Sequence, residues 1–550
     1  MPKLACLQRP NRAAALAFIA ACFLPAFALA QTPLTPGAVQ DTIGPIKPPP
    51  RPVPGQLVFP KPAPSVAHDP NGQRFTVNAF DFNGNTVFRT QALKRLTERF
   101  IDLQLNLYDL TRAADTMTRF YQENGYPVAR AVLPAQKVDK GIVRIEIIEG
   151  RVGEVRFAGS RRYTPDYLRW RLSTLTPGTL ITSAGLEQDL LLLNELPGLT
   201  ARATLEPGKK FGTTDVTIQV EEKAFSVFAQ PNNHGRKEIG QNRVDAGVSL
   251  NNPLGGGDQL SVYGTYSERG LLKYGRASYS APVSSHGTRL EVAASTSDYR
   301  VEGDITQLGV TGDARNWEIN LTHPVYRTRS RSLALNLGGR TTKLRQQTFG
   351  IETSNTSIDL LNLGLRYNQI GEDSSVSSAS AQVTTNFKSN ELGLRTDAQK
   401  FKLDLEGSEL RGISRDWDAF GRVAWTYSPE PLADSEKFSV GGPGSVRGYR
   451  SSEVRGDGGF LINAEVRRAF NAANRLGIWS IFYDAGIVRF QGTPGFVDGT
   501  LTIQSVGTGV TFYLHPSVTL KLEFAVPVGN TIPTDRHNNG RAWISLLANF

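Results

Sequence analysis

The sequence predicts two tandem α+β modules followed by an antiparallel transmembrane β-barrel of about 16 strands. Three observations carry that reading. A β-α-α-β-β order occurs twice in succession between Phe75 and Lys223. From about Ala224 to Phe550, strand-length runs with period-two alternation recur and no helix-period segment stands out. Near the N-terminus, an apolar run behind basic residues has the form of a secretory leader.

A chain of 550 residues is too long for one ordinary domain. It is 39% hydrophobic and 20% charged, and beyond the leader no stretch approaches the apolar length of a spanning helix. A spanning barrel remains open, because its strands alternate lipid-facing apolar with lumen-facing polar residues and average to a soluble-looking composition. The formal net charge of +10 is spread along the chain. Nucleic acid is therefore not an expected partner; lumen positions and anionic lipid headgroups account for the excess of basic side chains.

Lys3, Arg9 and Arg12 precede the apolar run from Ala13 to Leu29, and Ala28-Leu29-Ala30 before Gln31 offers a small-residue cleavage site. Residues 1–30 are thus expected to be a signal peptide, with Ile19-Ala20-Ala21-Cys22 as a rival lipoprotein box. The two cysteines, Cys6 and Cys22, would leave with it, and with them any disulfide or thiol chemistry. Residues 31–73 read as a stiff spacer. Pro48-Pro49-Pro50 and the alternating Pro52, Pro54, Pro60, Pro62 and Pro64 suit an extended chain and forbid a long helix.

The first module is expected over residues 74–150. It opens with a strand from Phe75 to Phe82 and a turn at Asn83-Gly84-Asn85, then two helices near Thr90 to Phe100 and Leu110 to Glu123. Ala113, Met117, Phe120 and Tyr121 sit at helical spacing in the second helix, with Gly125 just past its end. Strands from Val128 to Leu133 and Ile142 to Ile148 follow, the latter alternating Val143, Ile145 and Ile147 with Arg144 and Glu146. The second module, 151–223, repeats the order: a strand Val152 to Phe157, a turn Ala158-Gly159-Ser160, helices around Pro165 to Leu172 and Ser183 to Leu193, and strands Ala201 to Leu205 and Thr214 to Glu221.

In the barrel region, 224–550, the clearest strand is Val518 to Val526. One face carries Val, Leu, Leu, Phe and Val; the other carries Thr, Lys, Glu and Ala. Lys521 and Glu523 belong in a solvated lumen and the aliphatics on lipid, whereas a soluble sandwich would need a second apolar layer over every strand. The final strand ends on Phe550, with Leu546 and Ile544 on the same parity and Trp543 nearby.

Three features carry a family resemblance. The repeated β-α-α-β-β module, down to the turns Phe82-Asn83-Gly84-Asn85 and Phe157-Ala158-Gly159-Ser160, resembles the POTRA module of outer-membrane assembly and secretion proteins. Val446-Arg447-Gly448-Tyr449, inside a long connection at 429–457, resembles the signature that the POTRA-barrel superfamily carries on a loop folded back into the barrel. Phe482-Tyr483-Asp484-Ala485-Gly486 looks like that superfamily's Phe-x-Asp-x-Gly strand. Phe482, Asp484 and Gly486 share one face, so the resemblance implies an inward Asp484 that receives Arg447. An Arg fork on a carboxylate is a directional, charge-assisted contact able to anchor a loop. Breaking it would cost about 3 to 5 kcal/mol if the site is buried and much less if water fills it, and the lower half of that range is expected. Gly486 would leave room for backbone or for the ring of Tyr449. Phe550 resembles the terminal aromatic by which barrels are recognised for insertion.

Taken over essentially the whole mature chain, these features resemble the two-partner secretion transporters of TpsB type, in the haemolysin and filamentous haemagglutinin secretion systems. The resemblance implies a secreted exoprotein of TpsA type as partner, outer-membrane lipid around the barrel, and the barrel-assembly machinery as a partner during biogenesis. An insertase of the same superfamily, or a passive pore or receptor, is the alternative. One departure stands out: the family commonly has an N-terminal helix that plugs the pore, and the proline-rich segment does not read as such a helix. No enzyme, cofactor or metal is expected, since Gly-x-Ser-x-Gly, His-Glu-x-x-His and P-loop motifs are absent and the six histidines are dispersed.

Overall fold

The computed structural model describes residues 34–43, 57–58 and 72–550, apart from 304–305, 372, 374, 392–393, 397–399, 473–474, 492–498 and 536–538. The expected leader at 1–30 lies outside the described residues. Among those described, no helix is long and apolar enough to cross a membrane.

The two modules share one sheet plan. In the first, Ala79–Asn83 pairs parallel with Ile142–Ile148, which pairs antiparallel with Arg130–Val132. In the second, Arg151–Ala158 pairs parallel with Thr213–Glu222, which pairs antiparallel with Leu199–Pro207. Each sheet carries two helices: Thr90–Thr97 and Leu107–Glu123 in the first module, Pro165–Arg171 and Ser183–Asn194 in the second. Caps explain three of the helix starts. Asn106 closes a reciprocal capping box with Asp109, Thr164 accepts from Tyr167, and Thr182 accepts from Gly185.

The opening strand is broken where a single run was expected. Phe75–Val77 pairs antiparallel with Leu103–Leu105, while Ala79–Asn83 joins the main sheet. The amide of Asn78 donates instead to the Gly141 carbonyl at 2.8 Å, and its side chain to Lys140 at 3.0 Å, so the chain changes partner at this residue. In both modules a carboxylate at the end of the last strand closes the turn after the first. Glu149 accepts from the amides of Thr86 and Val87 at 2.6 and 2.8 Å. Glu222 accepts from those of Arg161, Arg162 and Tyr163 at 2.8 to 3.3 Å.

From Phe225 onward, 16 antiparallel strands close into a barrel, with Leu394–Thr396 a short hairpin arm on one of them. The last strand, Arg541–Asn549, returns to the first, Phe225–Asn232, in the register Phe228 opposite Asn549 and Asn232 opposite Ser545. Phe550 then exchanges main-chain hydrogen bonds with Val227 at 2.8 and 3.0 Å. The facing follows the alternation: in Val518–Val528, Leu522 and Phe524 are exposed while Glu523 and Ala525 are buried. The second module is fixed to one end of the barrel by its turns. Glu195 pairs with Arg327 at 2.6 Å, Arg171 donates to the Ser284 carbonyl at 2.7 Å, and Asn252 donates to that of Arg162 at 3.1 Å.

Candidate functional site

The connection between the strands Trp417–Tyr427 and Gly458–Ala472 folds into the lumen. It is a hairpin in its own right, with Phe438–Val440 pairing antiparallel with Val454–Gly456. Its tip is built from Val446, Arg447, Gly448 and Tyr449, all buried. Val446, Tyr449, Val440 and Val454 pack with Leu461, Val488 and Ile503, which point inward from three barrel strands. The Tyr449 hydroxyl donates to the Thr531 carbonyl at 2.7 Å.

Arg447 is the centre of this arrangement. Its Nε and Nη2 donate to the two oxygens of Asp484 at 2.9 and 2.8 Å, and its own amide adds a third bond at 3.1 Å. Its Nη1 reaches Glu523 at 2.9 Å and lies 3.6 Å from Glu465. The guanidinium carbon stands 3.2 Å from the centroid of Phe482. Asp484 also accepts from Asn463 at 2.8 Å and Ser505 at 3.3 Å. A fork held by ionic hydrogen bonds over an aromatic face, with water displaced, makes a stiff anchor.

Two glycines set how closely the loop approaches. A Cβ at Gly448 would lie 2.7 Å from that of Ser505 and 2.9 Å from the Pro527 nitrogen. At Gly486 the space is taken by Val440 and Val446, 3.0 and 3.2 Å from where a Cβ would be. The expectation that backbone or the Tyr449 ring takes this space is thus corrected: side chains of the short aliphatics take it as the loop hairpin crosses the strand, and the Tyr449 hydroxyl reaches Thr531 instead.

Sequence reading missed several members of the site. Glu523 was assigned to the lumen by alternation, but its convergence with Glu465 on Arg447 joins strands that only the barrel register brings together. Trp543 is buried, and its Nε1 donates to the Arg447 carbonyl at 2.7 Å.

The larger correction concerns residues 34–43. They were expected to belong to a spacer unsuited to plugging the pore, yet they lie inside the barrel at the end away from the modules. Pro36–Asp41 forms a short helix, with Thr35 as cap and proline in its first turn. Leu34, Ala38 and Val39 pack on Ile239, Leu272, Tyr299, Val301 and Val310. Arg455 of the loop donates to Asp41 at 2.7 Å, to Thr35 at 3.0 Å and to Asp434 at 2.6 Å, while Arg243 of the wall donates to the Thr42 carbonyl. Proline forbids a long helix but favours the first turn of a short one. The rest of the segment's stability comes from contacts with residues about 200 to 420 positions away in the sequence. Segment and loop border a polar cavity of about 380 Å³, which Lys402, Asp404 and Glu436 also line.

The chain is 27% identical over 496 residues to the heme/hemopexin transporter protein HuxB of Haemophilus influenzae (strain 86-028NP), covering 86% of each. To the outer membrane transporter CdiB of Escherichia coli it is 26% identical over 421 residues, 73% of this chain and 70% of that one. In fold it is similar to CdiB from Escherichia coli, with a TM-score of 0.67 and 22% identity over 89% of this chain and 93% of that one. BamA from Haemophilus ducreyi lacking POTRA domains 1-3 is similar at a TM-score of 0.55 and 15% identity, over 86% of this chain and all of that one. Residues 75–150 match the ShlB-type POTRA domain, and residues 212–512 match the haemolysin secretion/activation protein family ShlB/FhaC/HecB. With POTRA modules, a 16-strand barrel and a family match over more than half its length, the chain belongs to the haemolysin secretion/activation family and is an outer-membrane transporter of secreted proteins.

Proposed function

We propose that this chain receives one large, unfolded exoprotein at its periplasmic modules and passes it through the barrel, and that the arrangement described above is the closed resting state. The observation that carries this reading is that one loop holds both obstacles in the lumen. Its tip is anchored through Arg447 on Asp484, and its rising arm holds the N-terminal segment through Arg455 on Asp41. Clearing a path for a polypeptide therefore requires the loop and the segment to shift together.

The class of cargo comes from relatives named for the transport of heme/hemopexin and of hemolysin. An exoprotein of TpsA type is the partner this predicts, with lipid around the barrel and the barrel-assembly machinery as an earlier partner that reads the Phe550 end. Transport of this kind needs no bond to be made or broken by the chain, so no catalytic group, cofactor or metal is assigned. Direction can come from folding of the cargo outside, since ATP is absent from the periplasm.

The test is a comparison of culture media. Deleting the gene should remove one large protein from the medium, and wild-type chain should restore it. A chain lacking residues 75–222 should insert and yet secrete nothing. Normal secretion by that truncated chain would overturn the receptor role of the modules.

A further inference from the structure

The joint between the second module and the barrel gathers more positive charge than it neutralises. The helix Pro165–Arg171 lies along the barrel rim. Just ahead of it, the Arg162 carbonyl accepts from Asn252, in the turn after the strand Arg243–Asn251. At its end, Arg171 donates to the carbonyl of Ser284 at 2.7 Å, in the next turn, between the strands Leu272–Pro282 and Arg289–Arg300. Arg327, closing the strand Thr311–Arg327, reaches the same turn: both of its Nη atoms lie 3.1 Å from where a Cβ of Gly287 would be. Arg171, Arg289 and Arg327 thus come from three elements to one rim.

Their partners are unequal. Glu195 takes Arg327 at 2.6 Å, whereas among the described residues neither Arg171 nor Arg289 has a carboxylate within 4.0 Å. Arg289 donates to the carbonyls of Gly257 and Ser280 at 3.2 and 3.3 Å and to the Ser280 hydroxyl at 2.9 Å, all neutral acceptors. Arg171 is 2% exposed, and its Nε and the hydroxyl of Tyr167 are buried with no hydrogen-bond partner among the described residues. Burial holds the Arg171 guanidinium below its ordinary value, and the nearby charges of Arg327 and Arg289 push it the same way, against Tyr167 and Glu195. A buried cation with neither a carboxylate nor a full set of acceptors is costly, and an anionic group would relieve that cost. The same rim is apolar on its surface. Trp170 beside Arg171, Val283 beside Ser284, and Val325 and Tyr326 beside Arg327 are all exposed. Tyr163, Tyr167 and Trp170 form an aromatic run from the module's core to this surface, with ring centroids 6.0 and 5.7 Å apart. With the modules in the periplasm, this end of the barrel wall stands at the headgroup level of the inner leaflet, where aromatic girdles sit.

We propose that this joint binds an anionic phospholipid of the periplasmic leaflet, with the headgroup phosphate on Arg171, Arg289 and Arg327 and the upper part of an acyl chain against Trp170 and Tyr326. The inference goes beyond the export reading and holds whichever protein is carried. A guanidinium offers a phosphate two parallel donors, and a basic pocket at the membrane surface selects anionic headgroups. The exposed apolar side chains beside the arginines favour a lipid over free phosphate. A lipid held here touches module and barrel at once, and so ties the helix Pro165–Arg171 to the rim.

The test titrates the full-length transporter, in a neutral detergent, with dioleoyl phosphatidylglycerol and counts bound lipid by native mass spectrometry. Dioleoylglycerol is the probe without phosphate, and inorganic phosphate the probe without chains. Phosphatidylglycerol should bind about tenfold more tightly than dioleoylglycerol, and an equal concentration of inorganic phosphate should not displace it. Replacing Arg171 and Arg289 together by Gln should weaken phosphatidylglycerol by about tenfold or more, and Trp170→Ala should weaken it as well. Glu195→Gln should strengthen binding, because it removes the carboxylate that offsets Arg327. A role confined to packing of the joint predicts the opposite sign, so this variant separates loss of a site from loss of the fold. Lys343→Gln, a like substitution at the far end of the wall, should bind as the unaltered chain does. Equal binding of the two lipids, displacement by inorganic phosphate, unchanged affinity in the double variant, an equal loss in Lys343→Gln, or weaker binding in Glu195→Gln overturns the proposal.

Discussion

Asp484 holds Arg447 by both of its oxygens, accepting Nε at 2.9 Å, Nη2 at 2.8 Å and the Arg447 amide at 3.1 Å. The two side chains are 0% and 6% exposed. This is a drier site than a watered lumen, and it moves the expected cost of breaking the pair to the upper part of the range of about 3 to 5 kcal/mol. The cost is also asymmetric. Arg447→Ala strands Asp484 and takes a cation from Glu523 and Glu465, which keep only Lys521 at 2.9 Å and Arg467 at 3.2 Å, whereas Asp484→Ala leaves Arg447 with Glu523 at 2.9 Å. Both variants should insert and secrete poorly, with Arg447→Ala the worse. The double variant should match the worse single in a cycle read on exported protein at equal barrel levels. Fully additive losses would mean that the two residues act independently.

How much of this was legible follows the range of the contacts. Periodicity and turn residues revealed the repeated modules because their signals lie within a few residues. Inward and outward facing was readable for the same reason: Ile481, Tyr483 and Ile487 are exposed, and Phe482 and Asp484 are buried. The pairing of Arg447 with Asp484 was reached through motif resemblance, not spacing. Asp41, Arg455, Glu465 and Trp543 stayed silent because their roles depend on barrel closure, which aligns distant strands. The seating of Pro36–Asp41 was hidden by composition, since a proline-rich stretch announces its backbone preference and not its binding site.

Facing along Val518–Val528 gives a second prediction. Leu522 is 37% exposed on the outer wall, while Lys521 points inward and pairs with Glu523 at 2.9 Å. Leu522→Arg should cost about 2 to 4 kcal/mol near the bilayer midplane, and Lys521→Arg should be nearly silent. Folding yield into lipid vesicles measures both. Equal defects would overturn the assigned facing.

Glu149 gives the first module a dependence on pH. Burial pushes its carboxyl up, but hydrogen bonds from Thr86, Val87 and Tyr121 outweigh that and hold it below its ordinary value of 4.5. A carboxylate depressed in the folded state contributes stability that is fully present above its unfolded value and is lost as pH falls through the folded one. Protection of the turn at residues 85–88 should therefore weaken as pH drops below 4.5. Glu149→Gln should cost about 1 to 3 kcal/mol at neutral pH and lose that dependence. Hydrogen exchange of the turn across pH 3 to 7 (roughly the span in which carboxyls titrate) is the measurement, and identical profiles for both chains would sink the assignment.

Gly37 is closely enclosed in the segment seated in the barrel. Its amide donates to the Asp434 carboxylate at 2.7 Å, and a Cβ there would lie 2.5 Å from the Asp434 carbonyl oxygen and 2.6 Å from Arg455 Nη2. Neither neighbour can yield easily, because Arg455 is bound to Asp41, Thr35 and Asp434 at once. Gly37→Val should therefore expel the segment at an overpacking cost of about 1 to 3 kcal/mol, while Arg447 and Asp484 keep the loop tip in place. The barrel should leak more ions and still export, because the obstacle removed is one that export must clear. Arg455→Ala should leak more than Gly37→Val, since it frees the segment and loosens the loop hairpin together. Gln40→Ala, at a half-buried position on the same helix, serves as the control and should behave as wild type. Conductance in planar bilayers decides the matter: if Gly37→Val conducts no more than the unaltered chain, residues 34–43 do not obstruct the pore.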